Sequence, residues 1–497
     1  MSLWQGAWGT ASPSVPSCPP LAFLPLPLRL KSIIMRHMNT FIKQFRNGDM
    51  FPWERSFTRE ALRIAIPIIT QSMFMALLHI IDNLMIGHLG ELELAAVTQA
   101  NRITFLFNLV VFGLSSGTAT YVAQYWGKRD LKGIRSVMGL SLSLSLVAAL
   151  LFVIPCLIMP RQIIGLLLRD ETAAGFAVEY LSVIVIGYIA AALTQCFATV
   201  QKSTEQAKLP MAASITALLI NTSLNYCLIF GKLGFPRLGV LGGALATVIA
   251  QMFELGIVVI GGYLLKFATA ARFSELIPRS LSFARKYLTI AAPVILNEGL
   301  WSLGIVMYSV VYGRMGTAAV ASVSIFNTVE QVAFVTMRGL TSAAAVLIGK
   351  RIGAGDDAGA QHTAKRFLYA ALPSGLLAGV LLLAISLPLA TLFNVSAPVL
   401  KDAQTLVRIS ASLMWINQLA GLLIVGIMRS GGDVNMSLLL DAGAIWAIGV
   451  PLVALGGLAL GLSLPQVMLL SYIESAAKVI LGLLRFRSGK WIHNLVR

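Results

Sequence analysis

The chain has 497 residues, of which 57% are hydrophobic and 12% charged, with a formal net charge of +17. Soluble domains carry about a quarter of their residues as charges, so a water-soluble enzyme is excluded as the main body. A pI near 10.0 is compatible with nucleic-acid binding, but a mean hydropathy of +0.81 points to lipid instead.

In chain order, residues 1–34 are rich in Pro and Ser, and the apolar patch 21–28 is broken by Pro25 and Pro27. That patch is too short for a span and too interrupted for a signal-peptide core. The leader reads as disordered, or as a start-site artefact ahead of Met35 and Met38. A basic, amphipathic lead-in then runs to residue 55.

Apolar stretches follow at 62–87, 98–125, 134–159, 175–200, 209–231, 239–265, 285–313, 320–349, 366–391, 403–428, 434–458 and 465–486. Each is long enough to cross about 30 Å of hydrocarbon as a helix. Lipid satisfies no open backbone group, and the alternation of a barrel strand is absent. The expected fold is an all-α polytopic membrane protein with twelve transmembrane helices in two six-helix lobes, 56–268 and 269–486. A basic cytoplasmic tail, 487–497, closes the chain, and its Lys490, Trp491 and Arg497 suit an interfacial anchor.

The lobes are copies. Residues 62–130 align with 288–356 without a gap at an offset of 226, and 17 of the 69 pairs are identical. Chance gives roughly one in twelve for so apolar a composition. The matches include Pro67/Pro293, Gly87/Gly313, Gly90/Gly316, Asn101/Asn327, Gly113/Gly339, Gly127/Gly353 and Asp130/Asp356. An even number of spans per copy makes the repeat parallel, the arrangement of a secondary transporter that binds its substrate between lobes.

Most of the 38 Lys and Arg fall in the N-terminus, the even-to-odd connections and the C-terminus, among them Lys128, Arg129, Lys132, Arg135, Lys350 and Arg351. This bias places both termini in the cytoplasm and accounts for the charge without nucleic acid; a plasma (inner) membrane is the expected location. Cys156, Cys196 and Cys227 lie within spans and read as small buried thiols.

No phosphate loop, metal-ligand cluster or nucleophile elbow is present, so neither an enzyme nor an ATP-driven pump is expected. Carboxylates inside spans are the informative residues, because each is costly in lipid unless paired, hydrated or neutralised. Asp82 lies about 22 Å along the helix from Pro67, and Glu298 lies five residues beyond Pro293. Neither has a Lys or Arg one helical turn away, and under the repeat they align with Tyr308 and Ser72, so the scaffold is duplicated while the acids are not. Glu254, Glu330 and Asp441, with Trp301 and Tyr308, are candidates for a substrate cavity, each also readable as packing, capping or helix-entry. Glu474 and Lys478, spaced i,i+4, read as a structural pair, and Pro67 and Pro293 are expected to kink their helices.

The segments HIIDNLMIGHLG (79–90), GLSSGTATYVAQYWGKRD (113–130), LGGALATVIAQ (241–251), PVILNEGLWSLG (293–304) and GIMRSGGD (426–433) resemble the multidrug and toxic compound extrusion (MATE) family. The resemblance spans about residues 56–495. It implies a twelve-helix antiporter exporting organic cations against Na+ or H+. Asp82 falls on the acidic position the family uses for cation coupling, Asn221 and Asn225 on its span-5 polar pair, Thr247 on a nearby hydroxyl, and Glu298 close to its span-7 acid. Position 225 is Asn where many relatives have Asp, and span 10 lacks the carboxylate some branches carry, so the ion stays open between Na+ and H+. The expected function is thus a cation-coupled antiporter for amphipathic, cationic compounds. Its partners are small drugs and membrane lipids, and no cofactor beyond the coupling ion is expected. A lipid-linked oligosaccharide or polysaccharide flippase of the same superfamily is the alternative.

Overall fold

The computed structural model describes residues 55–168, 171–277, 281–392 and 396–497. By internal contacts the chain divides after Thr58. Of the first unit only residues 55–58 are described, and the proposed leader and its alternative starts lie outside them. All that follows concerns Arg59–Arg497.

Among the described residues, twelve long helices carry the fold. They are α1 (Arg55–Gly87), α2 (Glu91–Gly127), α3 (Leu131–Ile158), α4 (Glu171–Ser203), α5 (Lys208–Phe230), α6 (Gly239–Leu264), α7 (Leu281–Met315), α8 (Thr317–Gly353), α9 (Asp357–Leu392), α10 (Ala397–Arg429), α11 (Val434–Ala459) and α12 (Leu464–Arg487). Eleven pass as membrane spans unaided by length and hydropathy, and α8, bent by 44° between Gln331 and Ala333, is the twelfth. Helices α1 and α7 continue through Pro67 and Pro293. Most outrun the apolar stretches by several residues, because polar turns extend helices past the hydrocarbon edge.

Each lobe has its own core. In the first, Ile86, Val97, Phe107, Leu181, Tyr188 and Ile229 pack together, with Phe107 stacked on Tyr188 at 4.4 Å. In the second, Tyr308, Val329, Leu382, Leu406, Ile445 and Val467 do the same. A third cluster joins the lobes, bringing Leu114, Tyr121 and Val122 of α2 against Tyr287, Ile290 and Val294 of α7. Cys156, Cys196 and Cys227 are free and buried, as expected.

Two of the four glycine pairs of the repeat, Gly113/Gly339 and Gly127/Gly353, mark the junction. A Cβ on Gly113 would lie 2.5 Å from Cγ1 of Ile295, and one on Gly339 would strike Cγ1 of Ile69. Ile295 and Ile69 are themselves 226 residues apart. At the ends of α2 and α8, a Cβ on Gly127 would overlap the Lys350 carbonyl, and one on Gly353 would overlap that of Gln124. Two helices that bring backbone against backbone need residues without side chains there. The lobes therefore meet about a pseudo-twofold axis, through equivalent contacts made twice.

Hydrogen bonds between the lobes cluster at this end. Tyr287 Oη donates to the Leu114 carbonyl at 2.9 Å, Tyr121 Oη to that of Lys286 at 2.9 Å, and Thr120 Oγ1 to that of Arg429 at 3.2 Å. Lys350 Nζ reaches Glu60 at 3.2 Å and Glu205 at 2.5 Å. Beside the junction, Arg135 pairs with Glu275 at 2.6 Å, and the backbone N–H of Arg272, followed by that guanidinium, holds the Glu275 carboxyl below its ordinary range.

The tail departs from expectation. Trp491 is fully buried rather than interfacial, its ring 5.8 Å from Phe486 and its Nε1 donating to Gln361 Oε1 at 3.0 Å. The His493 N–H donates to the Gly431 carbonyl at 2.7 Å, and the Leu495 N–H to Gln124 Oε1 at 2.8 Å. Asn494 Nδ2 donates to the Ile352 carbonyl at 2.8 Å, and Lys128 Nζ to that of Val496 at 2.6 Å. The tail thus binds both lobes. Its amphipathic composition suits a packed strap as well as a lipid surface, and composition alone does not separate the two.

Candidate functional site

Two polar centres lie inside the bundle. In the first lobe, Asn221 and Asn225 sit one turn apart on α5 and so share a face. Asn225 Nδ2 donates to Asp82 Oδ1 at 2.6 Å and to Asn221 Oδ1 at 3.0 Å. Asn221 Nδ2 donates in turn to Thr247 Oγ1 on α6 at 3.1 Å. Four of the five residues expected to handle a cation are thus linked in one chain across α1, α5 and α6. The Oδ1 of Asn225 is buried without a hydrogen-bond partner. An orphaned buried acceptor is costly and asks for a donor or a cation. The oxygens of Asp82, Asn221, Asn225 and Thr247 form a hard donor set, suited to a proton or an alkali cation rather than to a soft metal.

The same three helices carry a second tier. Gln71 Nε2 donates to Ser214 Oγ at 2.8 Å, and Ser214 Oγ to Glu254 Oε1 at 2.6 Å. Glu254 follows Thr247 by seven residues on α6, about 10 Å along the axis. It belongs to this first-lobe stack.

In the second lobe the expectation of an unneutralised Glu298 is corrected. Its Oε1 accepts from Arg429 Nη1 at 2.7 Å. The cation comes from the end of α10, 131 residues away in sequence, so inspection of neighbouring turns on α7 misses it. Arg429 also approaches Asp441 at 3.6 Å and donates through Nε to Ser437 at 3.1 Å. Lys478 bridges Asp441 at 2.8 Å and its own-helix neighbour Glu474, the pair expected from the i,i+4 spacing. Asn297 Nδ2 donates to Asp441 at 2.9 Å, and Tyr308 Oη to Glu474 at 2.5 Å. Three carboxylates face two cations. The carboxylates of Glu298 and Asp441 are the more accessible, at 14% and 15% against 2% for Arg429.

The residues grouped as a substrate cavity are not gathered in one place. Tyr308 and Asp441 lie within the ion network, Glu254 in the other lobe, and Glu330 accepts from Ser410 Oγ at 3.1 Å. Trp301 is 38% exposed. Among the residues sequence reasoning missed, Arg429 sits within the segment GIMRSGGD but one position past the assigned end of span 10. Asn297, adjacent to Glu298, carries no signal until α11 is placed beside it.

Two six-helix copies packed in parallel, each with buried carboxylates, define a membrane transporter built from an internal repeat. The family model for MatE matches residues 67–227 and 293–455, one block per lobe, starting at the two prolines of the repeat. The chain belongs to this family, whose members are transporters of the multidrug-efflux kind and not enzymes. It is 24% identical over 443 residues to a probable multidrug resistance protein NorM of Thermotoga maritima, covering 87% of this chain and 93% of that one. It is 25% identical over 409 residues to a probable NorM of Rhizobium meliloti, covering 80% and 86%. Among solved structures, a variant of the Vibrio cholerae MATE transporter VcmN superposes with a TM-score of 0.80 at 19% identity, covering 89% of this chain and 98% of that one. A MOP superfamily transporter from Pyrococcus furiosus gives 0.79 at 20% identity, covering 87% and 95%. These structures share the fold.

Proposed function

We propose that this chain exports amphipathic, cationic organic compounds in exchange for Na+ or H+, with the coupling cation held at Asp82, Asn221, Asn225 and Thr247. The observation that carries the reading is the oxygen-lined chain around Asp82, with the Asn225 acceptor buried and unpartnered. A cation bound there offsets the cost of burying the Asp82 carboxylate and ties α1, α5 and α6 together. It therefore favours whichever lobe conformation closes the three helices. Release on the other side of the membrane removes that bias, and the alternation drives export.

Glu298 and Asp441 play a different part. Each already faces a fixed cation, so a positively charged compound reaches them by competing with Arg429 and Lys478. Competition of this kind favours cargo that combines charge with apolar surface, since charge alone only exchanges one ion pair for another. The distribution of Lys and Arg supports a plasma-membrane orientation with the joined ends of α2 and α8 in the cytoplasm.

The test is efflux of a fluorescent organic cation from proteoliposomes under separately imposed Na+ and pH gradients. Wild type is expected to respond to one of the gradients, and Asp82→Asn to lose that response. Gradient-driven efflux by Asp82→Asn at the wild-type rate refutes the site.

A further inference from the structure

The Glu298–Arg429 pair sits where the lobes join. On α7, Ala291, Ile295 and Glu298 follow at i, i+4 and i+7 and share one face. The first two lie against Gly117 and Gly113 of α2. Glu298 is thus one turn beyond the interlobe contact, on the side that meets the other lobe. Arg429 ends a π-helical segment, Leu422–Arg429. While its guanidinium holds Glu298, its carbonyl accepts from Thr120 of the first lobe. The turn immediately after it carries the tail. Trp491 lies over Gly431, the Gly431 carbonyl accepts from the His493 N–H, and Asp433 pairs with Arg485 at 2.7 Å. Two residues on, the tail is bound to Gln124 of α2.

We propose that Arg429 is a positioning residue through which the charge on Glu298 sets the grip of the C-terminal tail on the first lobe. With Glu298 paired, Arg429 holds the 430–433 turn in the place where it receives Trp491 and His493. The tail then spans from that turn to Gln124 and Lys128, strapping the joined end of the lobes shut. When a cationic compound takes Glu298, Arg429 loses its hydrogen-bonded carboxylate and keeps only the 3.6 Å approach to Asp441, the turn relaxes, and the strap loosens so that the joined end can part. The proposal rests on reading Glu298 as a carboxylate that meets mobile cations, but its test needs no cargo.

The test is amide hydrogen exchange on the full chain in lipid nanodiscs, read at His493 and Leu495. Glu298→Gln, an isosteric neutralisation, is expected to raise exchange at both amides about tenfold, the middle of the usual range for coupled sites. Arg429→Gln should do the same, and the double variant should show no further increase, because both changes break one link. Arg429→Lys keeps the charge and should stay near wild type. If Arg429→Gln fails to fold, Glu298→Asp decides: it keeps the charge and should stay near wild type, and a rise equal to that of Glu298→Gln overturns the proposal. Wild-type exchange in Glu298→Gln, additive effects of the two changes, or an equal rise at amides in the middle of α5 would each overturn the proposal. Failure of Asp82→Asn to affect transport would leave these exchange results unchanged, so the two readings fail separately.

Discussion

Arg429 shows how a buried charge is made tolerable. Its side chain is 2% exposed, yet it has Glu298, Asp441 and Ser437 within reach. Removing it leaves two carboxylates with one fewer cation between them, and stranding a buried charge costs about 3–5 kcal/mol. Arg429→Ala is therefore expected to lower thermal stability by that order, measured by tryptophan fluorescence in detergent. Lys478 does not compensate, because it is already shared between Asp441 and Glu474. Asp82 stands in contrast. Its described contact is the amide of Asn225, with no cation supplied by the chain in the hydrogen-bonded cluster.

At the scale of helices, the ends of α2 and α8 leave no room for a side chain between them. Gly353 lies against the backbone of Gln124, which cannot rotate away as a flexible side chain would. Gly353→Val is expected to force the two helices apart there, costing about 1–3 kcal/mol as overpacking does. Parted ends should admit water, so a cysteine placed at Ala123 should react faster with a soluble maleimide in the variant than in wild type. An unchanged rate would mean the helices yield elsewhere. These helices were legible in the sequence because apolar length alone defines a span. The junction was not: four glycine pairs recur at the 226 spacing, yet only Gly113/Gly339 and Gly127/Gly353 meet the other lobe, while a Cβ on Gly313 or Gly316 would meet nothing within 4 Å.

At the scale of the whole helical body, Arg59–Arg497, one end is joined by glycine contacts, hydrogen bonds and the tail. If that end faces the cytoplasm, a cysteine at Lys232, in the exposed turn between α5 and α6, should label from outside intact cells. One at Arg129, exposed between α2 and α3, should not. The reverse pattern would invert the orientation. What the sequence did not reveal at this scale is the ion network, whose partners are separated by 131 residues for Glu298 and Arg429 and by 144 for Asn297 and Asp441. Helical periodicity reports neighbours three and four positions apart, and pairings across a bundle become visible only once the helices are set side by side. Trp491 misled for a related reason: an aromatic residue among basic ones looks the same whether it meets lipid or a glycine such as Gly431.

The doubled junction has a consequence for ancestry. Gly113 against Ile295 and Gly339 against Ile69 are one contact written twice, as are Gly127 against Lys350 and Gly353 against Gln124. Identical patches meeting reciprocally are the hallmark of a twofold homodimer, so a six-helix precursor would have needed only one set of these residues to assemble. In such a precursor every change to an interior acid appeared on both sides together. Two copies in one chain are free of that constraint, and Asp82 aligned with Tyr308, with Ser72 aligned with Glu298, is what independent change in each half looks like.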